Sequence, residues 1–168
     1  SERRLEITEM DKSKVIELFQ AQIREEIGQL EQAARTAHEE ATHPENQAEN
    51  KYDTRGLEAS YLAEAQAKRV QDMRDLLNTL TFTDIQDFDS HSPISSTALV
   101  EIAEGTRKSL YLLMPKGGGR KVSYQDRWIQ LITPSSPLGR RLLGKCVGDD
   151  FELSGPKGER ELEILAVW

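Results

Sequence analysis

The chain has 168 residues, enough for one large domain or two small ones. With 37% apolar and 30% charged residues it can bury a modest core but not a large one. Its net charge is −7, of which −6 falls on residues 1–82, so that half is poorly suited to gripping a nucleic-acid backbone and better suited to basic protein surfaces, cations or a metal.

The single cysteine, Cys146, excludes an internal disulfide and points to a reducing compartment. No apolar run approaches the roughly 20 residues needed to cross a bilayer, and no secretory leader is apparent. The expectation is a soluble cytoplasmic protein with no membrane contact.

In chain order, the first predicted element is a long helix over residues 11–41, about 45 Å at 1.5 Å per residue, with Asp11 or Ser13 as its cap. Ile16, Phe19, Ile23, Ile27, Leu30, Ala34, Ala37 and Ala41 recur at steps of three and four, the spacing of a coiled-coil seam. Pro44 ends it. A second helix starts between residues 49 and 57, capped by Asp53 or Thr54, and runs to about Leu80. Its expected seam is Ala59, Ala63, Ala67, Val70, Met73 or Arg74, Leu77 and Leu80. Two helices of similar length joined by about a dozen residues predict an antiparallel hairpin.

The expected seam is bulky at the base and almost pure alanine towards the tip, where Ala33, Ala34, Ala37 and Ala41 face Ala59, Ala63 and Ala67. Small seam residues allow close helix approach and bury little area, so the distal end is thin. The tip itself, residues 42–55, holds Pro44 and the carboxylates Glu45, Glu49 and Asp53, and no large aliphatic residue.

Residues 83–96, rich in Asp and Ser, read as a linker or an irregular lead into a second unit. Beyond it the period changes to two. Residues 97–103, 108–114, 128–133, 150–153 and 161–167 read as strands, with Trp128 expected in the core rather than anchoring, with Arg127, the partner-facing surface. Turns fall at 104–105, 117–119 and 154–158, the last as a hairpin. One short helix fits residues 137–144, with Ser135 or Ser136 as cap and Pro137 at its first position. The fold class is therefore α+β. A helical hairpin spans residues 1–82, a linker 83–96, and a small, mostly antiparallel β domain with one short helix 97–168.

Chemistry-bearing motifs are sparse. His38, His43 and His91 do not combine with Cys146 at zinc-ligand spacing. Residues 116–121, KGGGRK, lack the phosphate-loop pattern and read as a turn with a basic rim. No Ser-His-Asp or Cys-His nucleophile arrangement is present. Arg140, Arg141 and Lys145 form a basic patch on or beside the short helix, facing either its C-terminus or an acidic partner.

The stretch from Ile132 to Leu153, ITPSSPLGRRLLGKCVGDDFEL, resembles the C-terminal signature of the GreA/GreB transcript-cleavage factors: a Ser-Pro step into a short helix, then Leu-Leu-Gly-Lys, then Gly-Asp. Residues 158–165 are similar to that family's closing strand. The resemblance implies an FKBP-like β domain that docks on bacterial RNA polymerase, with Arg140, Arg141 and Lys145 as docking candidates, and a coiled-coil hairpin that reaches down the secondary channel. It also implies tip carboxylates that help the polymerase position its second Mg²⁺ and a water, a role suited to a metal that keeps waters and few protein ligands. The best match for that tip is Glu49-Asn50-Lys51-Tyr52, one residue shorter than the family's, with Asn46 where the family has Asp and Glu45 beside it.

The expected function is thus stimulation of cleavage of backtracked transcripts, with Glu49 and either Glu45 or Asp53 assisting. The alternative is a non-cleaving regulator that occupies the channel. On either reading the protein is not itself an enzyme and holds no metal or cofactor when free. DNA and nascent RNA are then indirect partners, and the protein is a monomer with a weak homodimer possible through the seam.

Overall fold

A computed structural model describes residues 10–46 and 55–168, and the fold is α+β. The first helix, α1, spans Lys12–Thr42. Asp11 caps it: its carboxylate accepts from the Lys14 amide at 3.3 Å and the Ser13 hydroxyl at 2.7 Å. Those bonds hold the Asp11 carboxyl below its ordinary pKa. A single 3-10 turn follows at Pro44–Asn46. Helix α2 spans Arg55–Phe82; the cap expected at Asp53 or Thr54 lies outside the described residues.

Two contacts establish that the helices run antiparallel. Gln20 reaches Thr81 at 3.5 Å, and Arg74 pairs with Glu31. Advancing along α1 from Gln20 to Glu31 therefore retreats along α2 from Thr81 to Arg74. On α1 the expected stripe holds: Ile16, Phe19, Ile23, Leu30 and Ala37 are buried, with Ile27 and Ala34 half-buried.

On α2 the stripe is displaced from its expected line. Leu76 is buried, at 5% exposure, and Gln66 is half-buried, whereas Ala67 is exposed; on α1, Ala33 is exposed as well. The reason is physical. Alanine fits either face of a helix, so an alanine-rich segment does not set the rotational phase, and the bulky leucines at the base do. Counting back from Leu80 through Leu76 and Met73 to Val70 brings Gln66, not Ala67, inward.

Residues 20–81 form one compact unit and the rest of the described chain another. The second unit is built on a six-stranded sheet in the order β3-β4-β2-β1-β6-β5. Its strands are β1 Leu99–Glu104, β2 Arg107–Leu113, β3 Lys121–Tyr124, β4 Arg127–Ile132, β5 Asp150–Gly155 and β6 Gly158–Val167. All neighbours pair antiparallel except β2 and β4, which run parallel with Leu110 opposite Ile129. Residues 105–106 and 156–157 close tight hairpins, and Gly158 sits at φ 105°.

Strand β3 was not expected from the sequence. It has four residues and joins β4 through Gln125 and Asp126, both at positive φ. A two-residue hairpin turn usually advertises itself through Asn-Gly or Asp-Gly, and Gln-Asp carries no such signal. Trp128 on β4 is a second difference: it is 67% exposed rather than core. Alternation puts Trp128 on the face of Gln130 and Ile132, opposite Ile129 and Leu131, and it is exposed because it stands at the end of that face away from Ile132, where the core begins.

One core lies between the sheet and the third helix, α3, Pro137–Leu142. It gathers Val100, Ile102, Leu113, Ile132, Leu142 and Ile164, with further apolar side chains. Residues 83–96 are pinned to this unit. Ile94 is 1% exposed, its amide donates to the Lys145 carbonyl at 2.8 Å, and its carbonyl accepts from Gly144 at 2.8 Å. Phe88 packs on the same core.

A junction near the start of α1 completes the unit. The Lys12 ammonium donates to the carbonyls of Gln86 (2.5 Å), Thr97 (2.9 Å) and Trp168 (3.0 Å), and lies 4.9 Å from the Phe88 ring. Thr97 is held at φ 79°, a conformation β-branched residues rarely adopt. Its amide donates to Leu113 at 2.7 Å and its hydroxyl accepts from Gln86 at 3.0 Å, so three contacts fix the strained residue.

Candidate functional site

The signature stretch builds a compact turn–helix–turn against the sheet. Ser136, not Ser135, is the cap of α3: its hydroxyl accepts from the Gly139 amide at 3.0 Å and donates to the Thr133 carbonyl at 2.7 Å. Pro137 takes the first helical position, where its missing N–H costs nothing. Gly139 is obligatory here, because a Cβ at that position would lie 2.0 Å from the Thr133 carbonyl oxygen.

After α3 the chain reverses through Gly144 at φ 82° and Gly148 at φ 91°, a region glycine enters without steric cost. The Asp149 carboxylate accepts from the Cys146 amide at 2.8 Å, and the Asp149 carbonyl accepts from Ile164 at 2.9 Å. The Gly-Lys-Cys-Val-Gly-Asp run thereby ties α3 to β6.

This framework presents the basic candidates. Leu142 turns inward at 0% exposure, while Arg140 and Arg141 are exposed and Lys145 is half-buried. Arg141 and Lys145 converge on one ring, lying 5.8 and 5.6 Å from the centre of Phe151 on β5. Phe151 is 6% exposed, so its face is a fixed support for two cations. The convergence is invisible in the sequence, because Phe151 reads only as an inward strand residue.

The β5–β6 hairpin beside them is acidic. A hydrogen bond with Glu159, and repulsion from it and from Glu161, raise the Glu152 carboxyl above its ordinary pKa, while Arg141 acts the other way. The surface is therefore two-signed, with cations along α3 and carboxylates along the hairpin. It is equipped to bind charged groups in one orientation.

At the other candidate region, Glu45 is exposed in the 3-10 turn, where its amide donates to Nδ1 of His43 at 3.1 Å. Glu49 and Asp53 lie outside the described residues, as does Lys51. Among the described residues no three His, Cys, Asp or Glu side chains come together to hold a metal. No helix among them is long and apolar enough to cross a membrane.

Residues 94–168 match the family described as transcription elongation factor, GreA/GreB, C-terminal. The chain is 31% identical over 120 residues to the transcription inhibitor protein Gfh1 of Thermus thermophilus, covering 69% of this chain and 72% of that protein. It is 29% identical over 117 residues to the protein of the same name from Thermus aquaticus, covering 69% and 71%. To the transcription elongation factor GreA of Syntrophobacter fumaroxidans it is 30% identical over 100 residues, covering 59% of this chain and 60% of that one.

Proposed function

This chain belongs to the GreA/GreB family, and from that premise we propose that it binds bacterial RNA polymerase and regulates transcription through the polymerase's secondary channel. The observation that carries this reading is the signature-built surface around α3, with Arg140, Arg141 and Lys145 offered to an acidic partner beside an acidic hairpin. In this reading α3 and its neighbours dock on the polymerase, and the helical hairpin brings Glu45, Glu49 and Asp53 to the channel. In the same reading DNA and RNA are indirect partners reached through the polymerase, and the place of action is the cytoplasm.

Inhibition is the outcome we favour. Its support is the name carried by the Thermus relatives, together with the tip. There Asn46 stands where the family has Asp, and Lys51 sits among the acids. A lysine between carboxylates competes with a metal for them, which weakens a borrowed Mg²⁺ site. Cleavage stimulation is the second reading, favoured by the three tip carboxylates themselves. In it they complete the polymerase's two-metal site and the polymerase does the chemistry.

The test is RNA polymerase carrying a labelled transcript in a stalled, backtracked complex. The inhibitory reading expects slower extension, no shortened transcripts, and little change with Glu49→Ala. Shortened transcripts that vanish with Glu49→Ala would replace it with the cleavage reading. A protein that alters no polymerase step would overturn both.

A further inference from the structure

Strands β2, β3 and β4 carry a surface that the docking reading does not use. Alternation places Ser109, Tyr111, Lys121, Ser123, Trp128 and Gln130 on one face. Ser123 is directly opposite Trp128 in the β3–β4 pairing. Ser109 falls beside it on β2, one step before the Leu110–Ile129 pair. The largest side chain of the face is thus flanked on both strands by the smallest, and it is 67% exposed.

The same region forms an open cup of about 370 Å³, lined also by Arg107, Lys108 and Arg127, with Asp126 as the one acid of the lining. Arg127 is paired with Glu101 at 2.6 Å. Arg107 and Lys121 are exposed and share the face of Trp128, whereas Lys108 and Arg127 alternate to the opposite face. On a chain of net charge −7, this is a local concentration of positive charge around an open aromatic face.

A protein partner would seat its anchor in a water-excluding apolar surround. Here the surround of Trp128 is hydroxyl, amide and cation. A nucleobase needs only the π face, and its phosphates need cations at the margin. We infer that this cup binds a single strand of nucleic acid, with one base stacked on Trp128 and the adjoining phosphates held by Arg107 and Lys121.

The inference does not rest on the polymerase reading, and its test contains no polymerase. Labelled single-stranded oligouridine and oligothymidine are titrated with the full chain by fluorescence anisotropy, at about 50 mM salt where phosphate contacts count most. Both strands are expected to bind, since stacking is indifferent to sugar and sequence. Trp128→Ala is expected to weaken binding by about fivefold or more, and Trp128→Phe by less. The double change Arg107→Gln, Lys121→Gln is expected to flatten the salt dependence, which runs at roughly −0.7 in log–log slope per phosphate contact on single strands. Both positions are exposed, so these variants keep the fold, which circular dichroism checks. No binding by either strand, or equal binding by Trp128→Ala, overturns the inference. Competition by uridine monophosphate at the strand's own concentration overturns it as well, because the cup would then hold one nucleotide rather than a strand.

Discussion

The ammonium of Lys12 donates to the carbonyl of Trp168 at 3.0 Å, joining two residues 156 positions apart. The same nitrogen serves Thr97 and Gln86, so one side chain gathers the start of α1, the segment after α2, the lead into β1 and the end of β6.

Replacing Lys12 with Met keeps the stem and removes the three donors. The part-buried carbonyls of Thr97 and Trp168 then lose a partner. An unpaired group of this kind costs about 1–3 kcal/mol, so Lys12→Met is expected to lower the urea midpoint of the unit that holds the sheet. An unchanged midpoint would show that water replaces the ammonium freely.

The same lysine sets a pH window. Burial pulls its pKa from 10.5 down to about 8, against the pull of the Asp87 carboxylate. Between those two values the folded chain has released the proton while an unfolded chain still holds it. The unfolded state binds more protons there, so the contribution of Lys12 to stability rises with pH across that window. Urea unfolding at both ends of the window should give a stability difference between wild type and Lys12→Met that shifts in favour of wild type as pH rises. A constant difference would place the lysine's pKa at its ordinary value.

Gly139→Ala tests the logic of the signature. The new Cβ would fall 2.0 Å from the Thr133 carbonyl oxygen, a backbone atom that cannot swing aside. Either α3 shifts or the Thr133–Ser136–Gly139 bonds break. Overpacking of this kind costs about 1–3 kcal/mol, occasionally more. Gly28→Ala is the control. It is also helical but has nothing within 4 Å, so it should be neutral or mildly stabilising, through alanine's helix propensity. Equal stabilities for the two variants would contradict the geometry.

The docking surface makes a separable prediction. Arg140→Ala, Arg141→Ala and Lys145→Ala remove charges while Leu142 keeps the buried face of α3. Each should weaken binding to polymerase by roughly 0.2–1 kcal/mol, more at low salt. For Arg141 and Lys145 part of the loss would come from positioning on Phe151, so Phe151→Leu should reduce affinity while keeping both charges. Full affinity in the triple variant would move the docking surface elsewhere.

Much of this architecture was legible in residue order alone. The α1 stripe, the proline that ends it, the Ser-Pro helix start and the Gly155–Gly158 hairpin are local patterns, written within a few residues of where they act. The α2 stripe failed at Gln66 and Ala67 because alanine says little about which side faces inward. Strand β3 failed because its turn is Gln-Asp and its partner strand, not its own pattern, makes it a strand.

What the sequence by itself determined is the helices and every strand but β3, because periodicity, caps and turn residues act over one or two turns of chain, while the stretch 132–153 carries the resemblance to the family. What only the tertiary structure decided is which distant residues meet: Arg141 and Lys145 at Phe151, Lys12 at Thr97 and Trp168, and Trp128 in the open between two serines. Those meetings follow from the order β3-β4-β2-β1-β6-β5 and its one parallel pair. Strand order is chosen by burial of the whole sheet at once, and no local run of residues encodes it.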